Sequence, residues 1–205
     1  MAKGDDIDLE NISMKKLKCE KKRVNKRKTK IIMGGKTVMV EHSGGILAYK
    51  YVEGKLEVML AHPGGPFWAR KDEAAWSIPK GLQETDESIL DTAKREFEEE
   101  TGCKIQTDLL ELGTIKQPSK KLITIFAVEM EIDVNMVKSN LFEMEWPPKS
   151  GNIQKFPEND KAQWFTIEEA RKKIFKGQKG FLDRLVDILN YQENKEEYTQ
   201  MTLFD

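Results

Sequence analysis

Four glutamates fall within the five positions Glu96–Glu100, and helical geometry sorts them. At about 100° per residue, Glu96, Glu99 and Glu100 share one sector of a helix while Glu98 points elsewhere. That sector adjoins an apolar stripe of Ile89, Leu90, Ala93 and Phe97, so the three carboxylates stand at the rim of a buried face. Like charges three and four residues apart repel by about 0.2–0.5 kcal/mol per pair, and the C-terminal end of a helix dipole disfavours anions. Arg95 is placed to pair with Glu99, yet one arginine does not balance three carboxylates. A hard divalent cation does. Mg²⁺ takes carboxylate oxygens together with substrate phosphate oxygens. A solvated acidic helix face accounts for the same run equally well on these residues alone.

The surrounding spacing separates the two. Gly81, five residues, Glu87, seven residues, then Arg95-Glu96-Phe97-x-Glu99-Glu100-x-Gly102-Cys103 resembles the Nudix box. The last box position is usually aliphatic, and Cys103 substitutes as a small hydrophobe. The resemblance implies an α/β class fold, a Nudix-type α/β/α sandwich with a mixed sheet and a loop–helix catalytic box. It implies metal-dependent hydrolysis of a diphosphate bond in a nucleoside diphosphate linked to another group X, with Mg²⁺ as cofactor and Mn²⁺ as its alternative. Glu96, Glu99 and Glu100 match the family's metal-binding glutamates, and Glu96 and Glu99 its catalytic ones. Arg95 matches the arginine that orients a box glutamate, Glu87 the acid that buttresses the loop–helix, and Gly81 and Gly102 its structural glycines. The general base is a box glutamate in some relatives and an outside acid in others, for which Glu158 is the first candidate here and Asp160 the second.

Substrate contacts are assigned to Lys80, as a mobile cation for phosphate, and to His62, Trp76 and Phe67 as borders of the nucleobase or X group. For the aromatics core packing is the competing explanation, and for His62, read as a loop residue, exposure without a role. The longer strings HPGGPFWARKDEAAWSIPKG and EWPPKSGNIQKFPENDKAQWF resemble a MutT-like subgroup described as predicted nucleoside-triphosphate pyrophosphohydrolases. WSIPKG before the box is similar to dinucleoside polyphosphate hydrolases. Pro118, at a spacing seen in ADP-ribose pyrophosphatases, is equally a turn residue in QPSKK. A nucleoside triphosphate or dinucleoside polyphosphate is the leading expectation, an ADP-ribose or nucleotide-sugar substrate the alternative. A nucleotide- or RNA-binding protein on a Nudix scaffold is the reading from a different class, against which the intact glutamate triplet argues.

Positioning these residues requires strands on either side of one helix. KTVMVEHSGGILAYKYVEGKLEVMLAH reads as β-rich runs broken at Gly44–Gly45 and turning at Glu53–Gly54. HPGGPFWARKDEAAW is a loop. The apolar stripe predicts a helix over 87–101 ended by Gly102. LLELGTIKQ and KLITIFAVEM are two strands about a turn at Pro118–Lys121, a further β stretch covers Leu141–Trp146, and PPKSGNIQKFPEND reads as a loop. Thr166 and Glu169 have capping-box spacing for a helix over 167–176, followed by a second over 181–191.

The 205 residues, 39% hydrophobic and 34% charged, suit one domain with tails. The net charge of −1 conceals an asymmetry: Lys15–Lys30 carries ten basic residues against one acid, which leaves −10 on the remainder. Residues 1–36 are accordingly read as a basic, mostly disordered arm, 37–191 as the catalytic domain and 192–205 as a polar tail. The arm serves as a solvated tail or, alternatively, as a salt-dependent contact for nucleic acid, without aromatic residues for base stacking. Cys19 and Cys103 have no paired spacing, the N-terminus lacks a signal-peptide core, and no apolar run reaches membrane-span length. A cytoplasmic protein with a small-molecule nucleotide substrate and no membrane partner is expected, its oligomeric state open.

Overall fold

The computed structural model describes residues 28–33 and 36–191. Its frame is a mixed sheet in which strand β2 (Lys36–Val52) is central. Strand β3 (Lys55–Pro63) follows it through a tight turn at Glu53 and Gly54, both with positive φ, as a two-residue hairpin between right-twisted strands demands. β5 (Leu110–Lys116) and β6 (Leu122–Glu129) form the next hairpin, and β9 (Asn159–Thr166) closes the far edge, giving the order β5-β6-β2-β3-β9. β6 lies parallel to β2, from His42 opposite Leu122 to Tyr49 opposite Glu129, while the other pairings are antiparallel. Short β4 (Lys80–Leu82) pairs with the middle of β2 at Ser43–Gly45.

Period-two alternation sorts side chains to two cores. Ile46 and Ala48 of β2 join Met59, Phe126 and Val128 under helix α1 (Ile89–Thr101), which contributes Ala93 and Phe97. Leu47 and Tyr49 join Val58, Leu60, Ile123 and Ile125 on the other face. There they meet helices α2 (Ile167–Lys173) and α3 (Lys179–Ile188) through Ala170, Phe181, Leu182 and Leu185. Burial on both faces explains why ILAY and ITIFAV read as almost continuous apolar runs. The result is the expected α/β/α sandwich. No helix among the described residues is long and apolar enough to cross a membrane.

Several boundaries differ from the sequence reading. Gly44–Gly45 does not interrupt β2: the strand runs straight through, and the glycines mark close approach. A Cβ on Gly44 would stand 2.5 Å from the carbonyl oxygen of Ile89, so the first turn of α1 rests directly on the strand. Part of PPKSGNIQKFPEND is also strand, for β7 (Leu141–Glu145) and β8 (Ile153–Pro157) form a separate antiparallel hairpin in which Phe142 faces Phe156. Proline at the end of β8 and at the turn concealed a pairing that only the cross-strand partners create. Lys28–Met33, inside the segment read as an arm, forms β1 against the first residues of β2. Gly34–Gly35 between two β-branched runs is a hairpin signal that the weight of charge obscured. Residues 1–27 of the arm, including most of its basic run, and the tail at 192–205 lie outside the described residues.

α2 is shorter than expected because Ile174 turns extended to bridge Trp76. Its start is as expected: Thr166 Oγ1 accepts from the Glu169 backbone and the Glu169 carboxylate accepts from the Thr166 backbone, a reciprocal cap.

Candidate active site

α1 begins two residues later than expected, at Ile89, capped by Ser88, whose Oγ accepts from the Asp91 N–H at 3.0 Å. It ends where Gly102, at φ 76°, donates its N–H to the Glu98 carbonyl at 2.8 Å. Ala93 and Phe97 are fully buried, Glu96 is 5% exposed, Glu99 and Glu100 are half-buried and Glu98 is exposed. The rim position of the three glutamates is therefore as the helical spacing predicts.

β4 passes beneath this helix. A Cβ on Gly81 would lie 1.9 Å from the carboxyl carbon of Glu96, so the glycine of the box exists to let the main chain run under a carboxylate. From the same side, Arg95 makes a hydrogen bond with each of its five donors. Nε and Nη2 grip Glu87 at 2.8 and 3.1 Å. Nη1 reaches Glu96 at 2.8 Å and Glu99 at 3.3 Å, and Nη2 also donates to the Leu82 carbonyl at 3.1 Å. The arginine thus ties the loop, through Glu87 and Leu82, to two glutamates of the helix. Its deepest commitment is to Glu87 and not, as the i,i+4 spacing suggests, to Glu99. Burial works against the guanidinium charge, yet Glu87 and Glu96 hold its affinity for the proton above even the usual value. Burial raises the Glu87 carboxyl, but the hydrogen bonds from Arg95, Thr92 and the Glu84 backbone outweigh it and hold Glu87 below the ordinary carboxylate range.

Glu100 is the third acid and has different partners. Its carboxylate is enclosed although the residue as a whole is half-buried, and burial pushes it up to about 8. Lys80 and a 3.0 Å hydrogen bond from Asn159 Nδ2 oppose the shift, while Glu96 and Glu158 add to it. Among the described residues no three acidic, histidine or cysteine side chains converge into a cation cage: Glu96 and Glu99 are turned to Arg95, Glu100 to Asn159. The donor set nevertheless fits Mg²⁺ or Mn²⁺. Three hard oxygen ligands come from one sector of one helix, and the negative charges of Glu96 and Glu158 beside Glu100 are ones that a cation would offset.

The outside candidates separate clearly. Asp160 Oδ1 lies 2.7 Å from His62 Nδ1, and His62 Nε2 donates to the Lys71 carbonyl at 2.8 Å. Asp160 is thereby committed to a structural contact, whereas Glu158 is near enough to act electrostatically on Glu100. His62 itself is a correction: it lies on β3 and is 3% exposed, with its ring 5.1 Å from that of Trp76, so it borders no open surface. Trp76 is 4% exposed, donates to Asp72 at 2.9 Å and stacks edge-on against Phe165, a packing role in place of the substrate contact expected of it. Phe67 packs against Trp146. Lys80 lies on β4, where its charge acts on Glu100. Asn159, which the sequence reading passed over, joins the site through Glu100; its position between Glu158 and Asp160 was the available signal.

A mixed-sheet α/β/α sandwich that presents a helix of glutamates over a glycine-bearing strand is the architecture of a Nudix-type hydrolase. The NUDIX domain family matches residues 46–185, and the chain belongs to that family, as an enzyme of the pyrophosphohydrolase class. Solved structures agree on the fold. An Ap4A hydrolase of C. elegans in a binary complex is similar with a TM-score of 0.53 at 18% identity, over 72% of this chain and 98% of that one. A candidate NUDIX hydrolase of Listeria monocytogenes gives 0.52 at 18% identity, over 73% and 94%. The NUDIX domain of Shewanella oneidensis NrtR, complexed with ADP ribose, gives 0.50 at 14% identity, over 73% and 88%. No curated protein matches the sequence.

Proposed function

We propose that the protein hydrolyses a diphosphate bond in a nucleoside diphosphate-X compound, with a nucleoside triphosphate or a dinucleoside polyphosphate as substrate. The observation that carries this reading is the Arg95 clamp. It holds Glu87, Glu96 and Glu99 in one hydrogen-bonded unit over Gly81, with all five guanidinium donors engaged. A surface acidic helix has no need of such an arrangement. Glu96, Glu99 and Glu100 would hold Mg²⁺, or Mn²⁺ in its place, which when bound neutralises phosphate oxygens and lets a polyanion approach three carboxylates.

The chain's own residues supply the rest. Arg95 fixes the orientation of Glu96 and Glu99 through charge-assisted hydrogen bonds. Lys80 offers a cation to phosphate from the β4 side. Glu158 accepts the proton of the attacking water, since Asp160 is committed to His62. The fold relatives named above carry Ap4A hydrolysis in one case and bound ADP ribose in another. Fold alone therefore does not choose X, and WSIPKG is what favours the longer phosphate chain.

The test is incubation of the full chain with Mg²⁺ and a panel of nucleoside triphosphates, dinucleoside polyphosphates, ADP-ribose and nucleotide sugars, with products identified by mass. Reaction in ¹⁸O-water marks the phosphorus attacked. Turnover of the first two groups ahead of the others is expected. No hydrolysis of any member with either Mg²⁺ or Mn²⁺ overturns the reading.

A further inference from the structure

Beside Asn159, which reaches Glu100 at the C-terminal end of α1, lies a pocket of about 280 Å³. Val134, Val137 and Ala162 give it apolar walls, while Asn135, Asn159, Asp160 and Lys161 are its polar lining, Asp160 with one carboxylate oxygen already bonded to His62. The volume suits one nucleoside-sized group, a little under the usual range for small-molecule pockets. Asn159 belongs both to this pocket and to the glutamate site, since its Nδ2 donates to Glu100 Oε2 at 3.0 Å.

Its backbone is fixed on three sides. The Asn159 N–H donates to Ser139 Oγ at 3.0 Å. The adjacent Glu158 N–H donates to the Asn140 carbonyl at 2.8 Å, and the Glu158 carbonyl accepts from Gly64 at 2.9 Å. A side-chain amide has donors at one end and an acceptor at the other. Here Nδ2 is the end turned to the glutamate site, donating to Glu100 Oε2 at 3.0 Å. Oδ1, which makes no hydrogen bond to any described residue, is then the end left for a ligand.

We propose that this pocket binds the nucleoside of the substrate, and that Asn159 is a positioning and specificity residue. In that role it accepts from a sugar hydroxyl or base amino group through Oδ1 while holding Glu100 through Nδ2. This rests on the hydrolase reading above and adds to it a place for the nucleoside and a chemical requirement: the bound group must carry a hydrogen-bond donor. Occupation of the pocket and orientation of Glu100 become linked through one planar amide.

Two measurements on the full-length chain test it, made on wild type, Asn159→Ala and Asn159→Gln after matched melting temperatures establish folding. The first is Mn²⁺ affinity without nucleotide, read from free Mn²⁺ by electron paramagnetic resonance. Asn159→Ala should bind about tenfold more weakly, and Asn159→Gln, which retains the donor, should recover part of the loss. The second is KM, or Kd where turnover is slow, for ATP, 2′-deoxy-ATP and purine riboside triphosphate with Mg²⁺. Wild type should lose about three- to tenfold against one of the two analogues, the one lacking the donor that Asn159 reads, and Asn159→Ala should treat all three alike. Wild type that binds Mn²⁺ while Asn159→Ala matches it in affinity, or wild type indifferent to both missing donors, overturns this inference and leaves the hydrolase reading standing. Wild type that binds no Mn²⁺ at all overturns both.

Discussion

Gly81 and Glu96 are in such close apposition that no side chain fits between them: a Cβ on the glycine would meet both carboxylate oxygens at 1.9 and 2.1 Å. The strand beneath the helix therefore sets the height of the carboxylate. Gly81→Ala has to push Glu96 away from Arg95 or lift α1 from β4. Overpacking of this kind costs about 1–3 kcal/mol, whereas a displacement of about 1 Å at a reacting centre costs about 10²-fold in rate. Steady-state kinetics beside thermal melts of Gly81→Ala should show a large fall in kcat with a modest loss of Tm. A variant with wild-type kcat would mean that Glu96 does not need its present position.

Glu87 should stabilise the fold in a pH-dependent way. Its carboxyl is held below its ordinary value of 4.5 despite burial, because Arg95, Thr92 and the Glu84 N–H all favour the charged form. A group with a depressed folded-state pKa contributes stability above the unfolded value and loses it as pH falls through the folded one. Glu87→Gln leaves Arg95 with a half-buried charge and one fewer anion, a change of about 2–3 kcal/mol at pH 7. Urea unfolding at pH 7 and through the acid range below about 4.5 should show wild type converging on the variant as pH falls. A constant gap between them across that range would contradict the linkage.

What could be read from residue types alone was whatever depends on one element. The helical period placed Ala93, Phe97 and Glu96 on the buried side and Glu98 outside, and local capping chemistry fixed Gly102 and Thr166 in their roles. The same period found the Arg95–Glu99 contact but not the stronger grip of Arg95 on Glu87, which the loop fold creates. What failed depended on partners distant in sequence. His62 read as a loop residue because Pro63 and two glycines follow it, yet pairing with β9 carries β3 through that position and buries the ring against Trp76. β8 required β7 to be recognised, and Asn159 acquires meaning only because the β8–β9 junction folds back onto Glu100, fifty-nine residues earlier. Glycines 44 and 45 looked like a break because sequence does not reveal when a missing side chain makes room for a helix.

Glu99 should be the site residue whose loss is felt in turnover and scarcely in stability. Its side chain is 38% exposed and its contact to Arg95 is the longest of the set at 3.3 Å. A pair that open contributes about 0.2–1 kcal/mol. Glu99→Gln should therefore unfold within about 1 kcal/mol of wild type while turnover falls more than about 100-fold, beyond what loss of a residue merely supporting a metal ligand brings. Side-by-side kinetics and denaturation of the variant decide the matter: unchanged turnover would remove Glu99 from the site.

The two acids that flank Asn159 at the β8–β9 junction should respond in opposite ways to the same conservative change. The charge of Glu158 acts on Glu100, and Asn159 next to it in the chain is bonded to that carboxylate. Asp160 is bonded to His62 at 2.7 Å, and His62 in turn holds the Lys71 carbonyl at 2.8 Å, which pins the loop after β3. Removing a general base costs about 10²–10⁴-fold in rate, while an asparagine at 160 keeps a hydrogen-bonding group for His62 but loses its charge. Glu158→Gln should fall in kcat within that range with Tm nearly unchanged. Asp160→Asn should lose stability, by about 1–3 kcal/mol for a hydrogen bond to a charged partner, and keep kcat within a few-fold. Proton transfer belongs to Glu158 only if the two variants split in this direction; a fall in kcat confined to Asp160→Asn reassigns the base to the His62–Asp160 pair.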